Sequence, residues 1–240
     1  MTSIGLRLGG QSLELLPERA VFWRDREVVL VADCHFGKAS SFRQHGVAVP
    51  EGDTSEDLAR LDRVIARTGA RQLVVVGDFF HSPHGYGPEV VQALLDWRRR
   101  RSELCVALVP GNHDRALHRL PAGLALEIAP EPYELDGLTF IHDPGQAAIH
   151  GGESASGERN YVCGHVHPAV RLGDGRVRGM RAPCFWLKAG STLVLPSFGS
   201  FTGHAVITPR DGDRVFALAG AQVVEVPATV LGTRTKLLEN

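Results

Sequence analysis

The nine residues LVADCHFGK, positions 30–38, decide how this chain reads. An apolar run with the character of a buried strand ends abruptly on Asp33 and His35, and Lys38 follows three places on. The same ending recurs. RQLVVVGD stops on Gly77-Asp78, LCVALVPGNHD on Gly111-Asn112-His113-Asp114, LTFIHD on His142-Asp143, and NYVCGHVHP on Gly164-His165-Val166-His167. In open α/β sheets, ligands bind beyond the carboxyl ends of the strands, where loops project functional side chains. These ends offer carboxylate, carboxamide and imidazole groups and need no thiolate. That mixture suits two divalent first-row ions such as Mn, Fe or Zn, not a structural cysteine zinc site. The spacing of Asp33 and His35, and of His165 and His167, suits extended backbone, whose alternate residues share a face.

Taken singly, each motif says little. D-x-H arises by chance or capping, G-D after a strand is usually a turn, and H-x-H also fits a solvated strand edge. G-N-H-D is more specific, because its polar residues follow a buried run and need partners. Together, in this order and all at strand ends, they read as a metal centre.

Composition limits the rest. A chain of 240 residues suits a single domain over 1–240 with a full core. Apolar content of 43% and charged content of 22% are those of an ordinary globular protein. A formal net charge of −1 excludes a global basic field, so any contact with a polyanion must come from a local patch. No basic-then-apolar leader opens the chain and no apolar run approaches about 18 residues, so the expected location is the cytoplasm, with no membrane partner. Cys34, Cys105, Cys163 and Cys184 are far apart with no C-x-x-C pair, and read as free, mostly buried thiols.

Periodicity places these motifs. GLRLGGQSLELL reads as a hairpin turning at Gly9-Gly10, and AVFWRDREVVLVA as a second turning near Asp25. Residues 53–68 read as a helix with Asp53 as cap, a stripe of Leu58, Leu61 and Ile65, and Gly69 as its end. Pro88 opens a second helix through Val91, Leu94, Leu95 and Trp97. The second half is short strands between Gly and Pro turns: LTFIHD, NYVCGHVHP, AVRLGDGRVRG, STLVLP, GHAVIT and RVFALA. Arg98 to Arg101 read as a solvated helix end, and Cys34, Phe79 and Phe80 as core.

The series D-x-H, G-D-x-x-H, G-N-H-D, H and G-H-x-H over residues 33–167 resembles the signature of calcineurin-like metallophosphoesterases. The resemblance implies an α/β/β/α sandwich of two sheets. It implies that Asp33, His35 and His167 hold one metal, that Asn112, His142 and His165 hold the other, and that Asp78 bridges them. His150 competes with His142 for its place. His113 would face the leaving group, oriented by Asp114. A narrower likeness rests on ADCHFGKASSFRQHGVAVPEGDT, GDFFHS, ERNYVCGHVHP, PCFWL and LPSFGSFTG. These segments are similar to the bacterial ligase-associated DNA damage response endonucleases, whose genes accompany a DNA ligase, a helicase and an exonuclease. His204 stands where that likeness leads one to expect a second glycine after FTG.

The implied chemistry follows from charge. A phosphodiester repels hydroxide, so its hydrolysis needs neutralised charge and a nucleophile at neutral pH, which two ions bridged by Asp78 would supply. His113 would protonate the departing alkoxide, worth about 10²–10⁴-fold, with Asp114 holding the imidazolium. Lys38 and Arg43 are candidates for phosphate contact, and His81 lies behind a ligand or faces the substrate. Arg176 and Arg178, flanked by Arg171 and Arg181 around a GDG turn, form the best local patch for DNA. The expected function is a phosphodiesterase that cuts DNA as an endonuclease in repair, with Mn as metal and Fe or Zn as alternatives. A phosphomonoesterase or nucleotide hydrolase on the same site, and a non-catalytic scaffold of the same fold, are the other readings.

Overall fold

The computed structural model describes residues 1–49, 53–82, 87–115, 120–121, 123–148, 159–172 and 180–227. The first sheet runs in chain order: β1 (Ile4–Leu8), β2 (Gln11–Leu16), β3 (Ala20–Trp23), β4 (Val28–Ala32), β5 (Gln72–Val76), β6 (Cys105–Val109) and β7 (Glu127–Ile128). It is antiparallel from β1 to β4 and parallel from β4 to β7. Both hairpins turn where the sequence places them, with Leu8 opposite Gln11 and Trp23 opposite Val28.

β4 is buried at every residue, as a strand covered on both faces must be. Its Val28, Leu30 and Ala32 face one core while Val29 and Val31 face another. The second of these cores is closed by helices α2 (Asp53–Thr68) and α3 (Pro88–Arg100), which follow the short α1 (Lys38–Gln44). Here Leu58, Leu61 and Ile65 of α2 and Leu94 and Trp97 of α3 pack on β4 and β5. Burying each such side chain contributes about 1.5–3 kcal/mol. A single turn, α4 (Asn112–Arg115), follows β6.

The second sheet is built from β8 (Tyr133–Leu135), β9 (Leu138–Ile141), β10 (Asn160–Cys163), β11 (Pro168–Leu172), β12 (Met180–Lys188), β13 (Thr192–Val194), β14 (Ala205–Val206), β15 (Arg214–Ala219) and β16 (Gln222–Val226). Its order is β14-β11-β12-β13-β10-β9-β8, with β15 and then β16 joined to β12. Phe140, Val162, Phe185, Leu193 and Phe216 of this sheet meet Leu13, Trp23, Leu30 and Val74 of the first in one core. Behind it, among the described residues, the short 3-10 turn Pro144–Ala148 lies on Ile141, Tyr161 and Cys163. This is the two-sheet sandwich expected, with its fourth layer one turn thick there.

One local expectation changes. Arg98 is not solvated: it is buried and donates to the carbonyls of Leu124, Arg101 and Leu104, tying the end of α3 to the next loop. The four cysteines are free and, as expected, mostly buried: Cys34, Cys163 and Cys184 are buried and Cys105 is exposed. No helix among the described residues is long and apolar enough to cross a membrane.

Candidate metal centre

Pairing between the central strands continues past their ends and fixes the loops beyond. Asp33 N–H donates to Gly77 O at 3.1 Å, His35 N–H to Asp78 O at 2.8 Å, Gly77 N–H to Val109 O at 2.8 Å and Gly164 N–H to His142 O at 3.0 Å. Within these loops Asp33, His35, Asp78, His165 and His167 have φ of 53°, 48°, 45°, 68° and 49°. The extended backbone expected from the D-x-H and H-x-H spacing is therefore corrected. Left-handed residues turn both side chains toward one point, and the intervening Cys34 goes into the helix-side core. Such a conformation costs on the order of 1–3 kcal/mol in a non-glycine residue, and Asp and His tolerate it better than most. Clustered strain of this kind marks sites, not stability.

The donor atoms form two groups. In one, His35 Nε2 lies 3.2 Å from His167 Nε2 and 3.8 Å from Asp78 Oδ2, and His167 Nε2 lies 3.6 Å from Asp33 Oδ2. In the other, His142 Nε2 lies 3.0 Å from Asn112 Oδ1, 3.1 Å from His165 Nδ1 and 3.5 Å from Asp78 Oδ2. Asp78 Oδ2 belongs to both. The seven residues named from the sequence thus converge.

These groups fit divalent cations. Ligands about 2.0–2.2 Å from one ion stand roughly 3 Å apart, close to the spacing seen here. The tautomer of His167 is set as a metal ligand needs: its Nδ1 contacts Gly203 O at 3.1 Å as donor, which leaves Nε2 bare. Asp33 Oδ1, buried, has no hydrogen-bond partner, and a buried carboxylate oxygen left so is costly without a cation. Burial pushes His35 down to about 2, so its ring stays neutral and able to ligate. Burial works to raise Asp78, but the His142 ring, the His113 amide and the His35 ring outweigh it and hold it at about 2, ionised.

Two glycines make room. A Cβ at Gly77, whose φ is +81°, would overlap His142 Nδ1, and a Cβ at Gly111 would overlap Asp78 Oδ1.

The other candidates fall at different depths. His113 donates its backbone N–H to Asp78 Oδ1 at 3.0 Å, and its ring Nε2 is 3.9 Å from Asp78 Oδ2. His81 stacks on that ring at 5.2 Å, and burial pulls it down to about 4. Asp114 does not grip the His113 ring. Its Oδ2 accepts from Phe79 and Gly111 amides and its Oδ1 from Phe80, at 3.0–3.1 Å, so it fixes the two loops that carry Asp78 and His113. Lys38, half-buried at the start of α1, feels the charges of Asp78 and Asp33. Arg43 acts on Glu89 of α3. Arg171 and Arg181 are exposed and opposite each other on β11 and β12, while Arg176, Arg178 and His150 lie outside the described residues.

Sequence reasoning missed the clamp behind His167. Asp57 on α2 accepts from Ser200 N–H at 3.0 Å and pairs with Arg60 at 2.7 Å; Arg60 also donates to Phe198 O and lies over the Phe198 ring. The available signal was a carboxylate on the buried side of the α2 stripe, one turn before Leu61.

A family model for the calcineurin-like phosphoesterases matches residues 27–180. The chain belongs to that family. A phosphoesterase of this kind works with divalent metals, and the structure gathers His and Asp side chains into clusters that could hold a metal ion. Among solved structures, the Pseudomonas putida nuclease MPE is similar at 33% identity, covering 94% of this chain and 100% of that one, with a TM-score of 0.76. Yfce, a phosphoesterase from E. coli, matches at 18% identity over 85% of this chain and 99% of that one, with a TM-score of 0.37. No curated protein matches the phosphoesterase chain.

Proposed function

We propose that this phosphoesterase is a phosphodiesterase that cuts DNA as an endonuclease, serving repair beside a DNA ligase, a helicase and an exonuclease. The observation that carries a nucleic acid rather than another phosphoester is likeness to the nuclease MPE over nearly the whole chain; DNA rests on the sequence likeness to the ligase-associated endonucleases. The residues support the chemistry. Asp33, His35 and His167 would hold one divalent ion, Asn112, His142 and His165 a second, and Asp78 both, with Mn first and Fe or Zn as alternatives. Such ions supply charge neutralisation and a deprotonated water at neutral pH. Lys38 would hold a phosphate oxygen. His113 would give a proton to the departing oxygen, its backbone fixed by Asp78 and its loop by Asp114.

Purified protein with Mn, offered plasmid DNA, bis-p-nitrophenyl phosphate and p-nitrophenyl phosphate, tests this. Nicked plasmid and hydrolysed diester, both abolished by chelation, are expected. Rapid hydrolysis of the monoester or of nucleotides with intact plasmid would replace the nuclease by a monoesterase or nucleotide hydrolase.

A further inference from the structure

Beyond the donor groups, a line of rings leads from His113 to the surface. His113 stacks on His81 at 5.2 Å with 26° between planes; His81 lies 6.2 Å from Phe42, and Phe42 meets Phe201 edge-on at 5.6 Å. Phe42 is 37% exposed, unlike Phe36, Phe79 and Phe80, which are buried in the core beneath. Neither Phe42 nor Phe201 belongs to a hydrophobic core cluster. A part-exposed aromatic on α1 beside the donor groups leaves ring area that a bound partner can cover.

The position of Phe42 says what that is. Phe42 and Lys38 are four residues apart on α1 and share one face, with Cβ atoms roughly 5–6 Å apart. Lys38 is half-buried and within electrostatic reach of Asp78 and Asp33, so its ammonium is a candidate partner for a phosphate bound beside them. A cation with an aromatic ring one turn further out matches a nucleotide, whose base stands about that far from its phosphate. Phe201 supplies the wall at right angles, with 89° between planes.

We propose that Phe42, walled by Phe201, is a stacking platform for a nucleobase next to the scissile phosphate, so that polynucleotide diesters are preferred over diesters without bases. This rests on the nuclease reading. Stacking of a base on an aromatic side chain is sequence-tolerant, so the platform selects for a base but not for which base.

The test uses the full chain with Mn and an oligonucleotide carrying abasic residues at successive positions, beside methyl p-nitrophenyl phosphate. Phe42→Ala should lower kcat/KM on the ordinary oligonucleotide relative to the small diester by about tenfold to a hundredfold, mainly through KM. Phe42→Trp should restore it and Phe42→Leu should not, which separates stacking from packing. An abasic residue at one position should impose the same loss on the wild type and add nothing to Phe42→Ala. Equal losses on both substrates, recovery by leucine, or additive losses would overturn the platform while leaving the nuclease intact. A wild type that cuts no polynucleotide removes both.

Discussion

Asp78 contributes one oxygen to both donor groups, 3.8 Å from His35 Nε2 and 3.5 Å from His142 Nε2, while its other oxygen takes the His113 amide. Asp78→Asn keeps the shape but replaces the shared anion with a neutral amide. Metal content and turnover should fall by more than the about 10–100-fold that loss of an outer partner of a ligand costs. Metal analysis showing two tightly held ions with normal turnover would remove Asp78 from the centre. His113→Ala differs: both ions should stay, alkyl-leaving diesters should slow by about 10²–10⁴-fold, and p-nitrophenolate esters much less, since that leaving group hardly needs a proton. Equal losses on both would take His113 out of the acid role. At this scale the sequence was legible where chemistry is rare: carboxylates and imidazoles after buried strands must serve something. Asp114 was legible as important and not in its contacts, because three backbone amides within reach outcompete one ring.

Elements were legible in proportion to their periodicity. α2 spans Asp53–Thr68 as its stripe and terminal Gly69 foretell. By contrast α1, KASSFRQ, has no apolar stripe; its buried residues are the small Ala39, Ser40 and Ser41, and Ser40 bonds Glu89 of α3 at 2.8 Å. The nine-residue β12 was hidden by Pro183 in its middle, which the chain tolerates within the second sheet. The loop after β13 was legible only as a likeness, and its support comes from α2. Asp57 and Arg60 hold Ser200 and Phe198, and Gly203 O at the far end of that loop takes His167 Nδ1. Asp57→Ala strands Arg60, only 16% exposed, and should cost about 3 kcal/mol in urea unfolding, together with a fall in turnover as His167 loses its anchor. Adding Arg60→Met should recover most of the stability, since the orphaned charge is gone. Unfolding midpoints unchanged by Asp57→Ala would show that the clamp holds nothing.

The donor residues do not come from one layer. Asp33, Asp78 and Asn112 follow β4, β5 and β6 of the first sheet, while His142, His165 and His167 follow β9 and β10 of the second. Each donor group mixes the two: His35 with His167, and Asn112 and Asp78 with His142 and His165. A cation held there therefore joins both sheets across the end of their shared core, where imidazole nitrogens, a carboxamide oxygen and a carboxylate oxygen otherwise face one another at 3.0–3.8 Å. A ligand that binds only the folded chain stabilises it by mass action, about 2.7 kcal/mol at a hundredfold excess over its dissociation constant. In a chain of this size each kcal/mol raises Tm by about 2–4 °C, so Mn should raise Tm by about 5–10 °C over the chelated protein. Asp78→Asn should lose most of that rise because it weakens both halves. Gly77→Ala, whose Cβ would overlap His142 at a backbone of φ +81°, should lose more of it from the half built on His142 than from the half built on Asp33, His35 and His167. A Tm that is indifferent to metal in the wild type would mean that the sheets are already fixed by their core, and that these side chains hold no ion tightly.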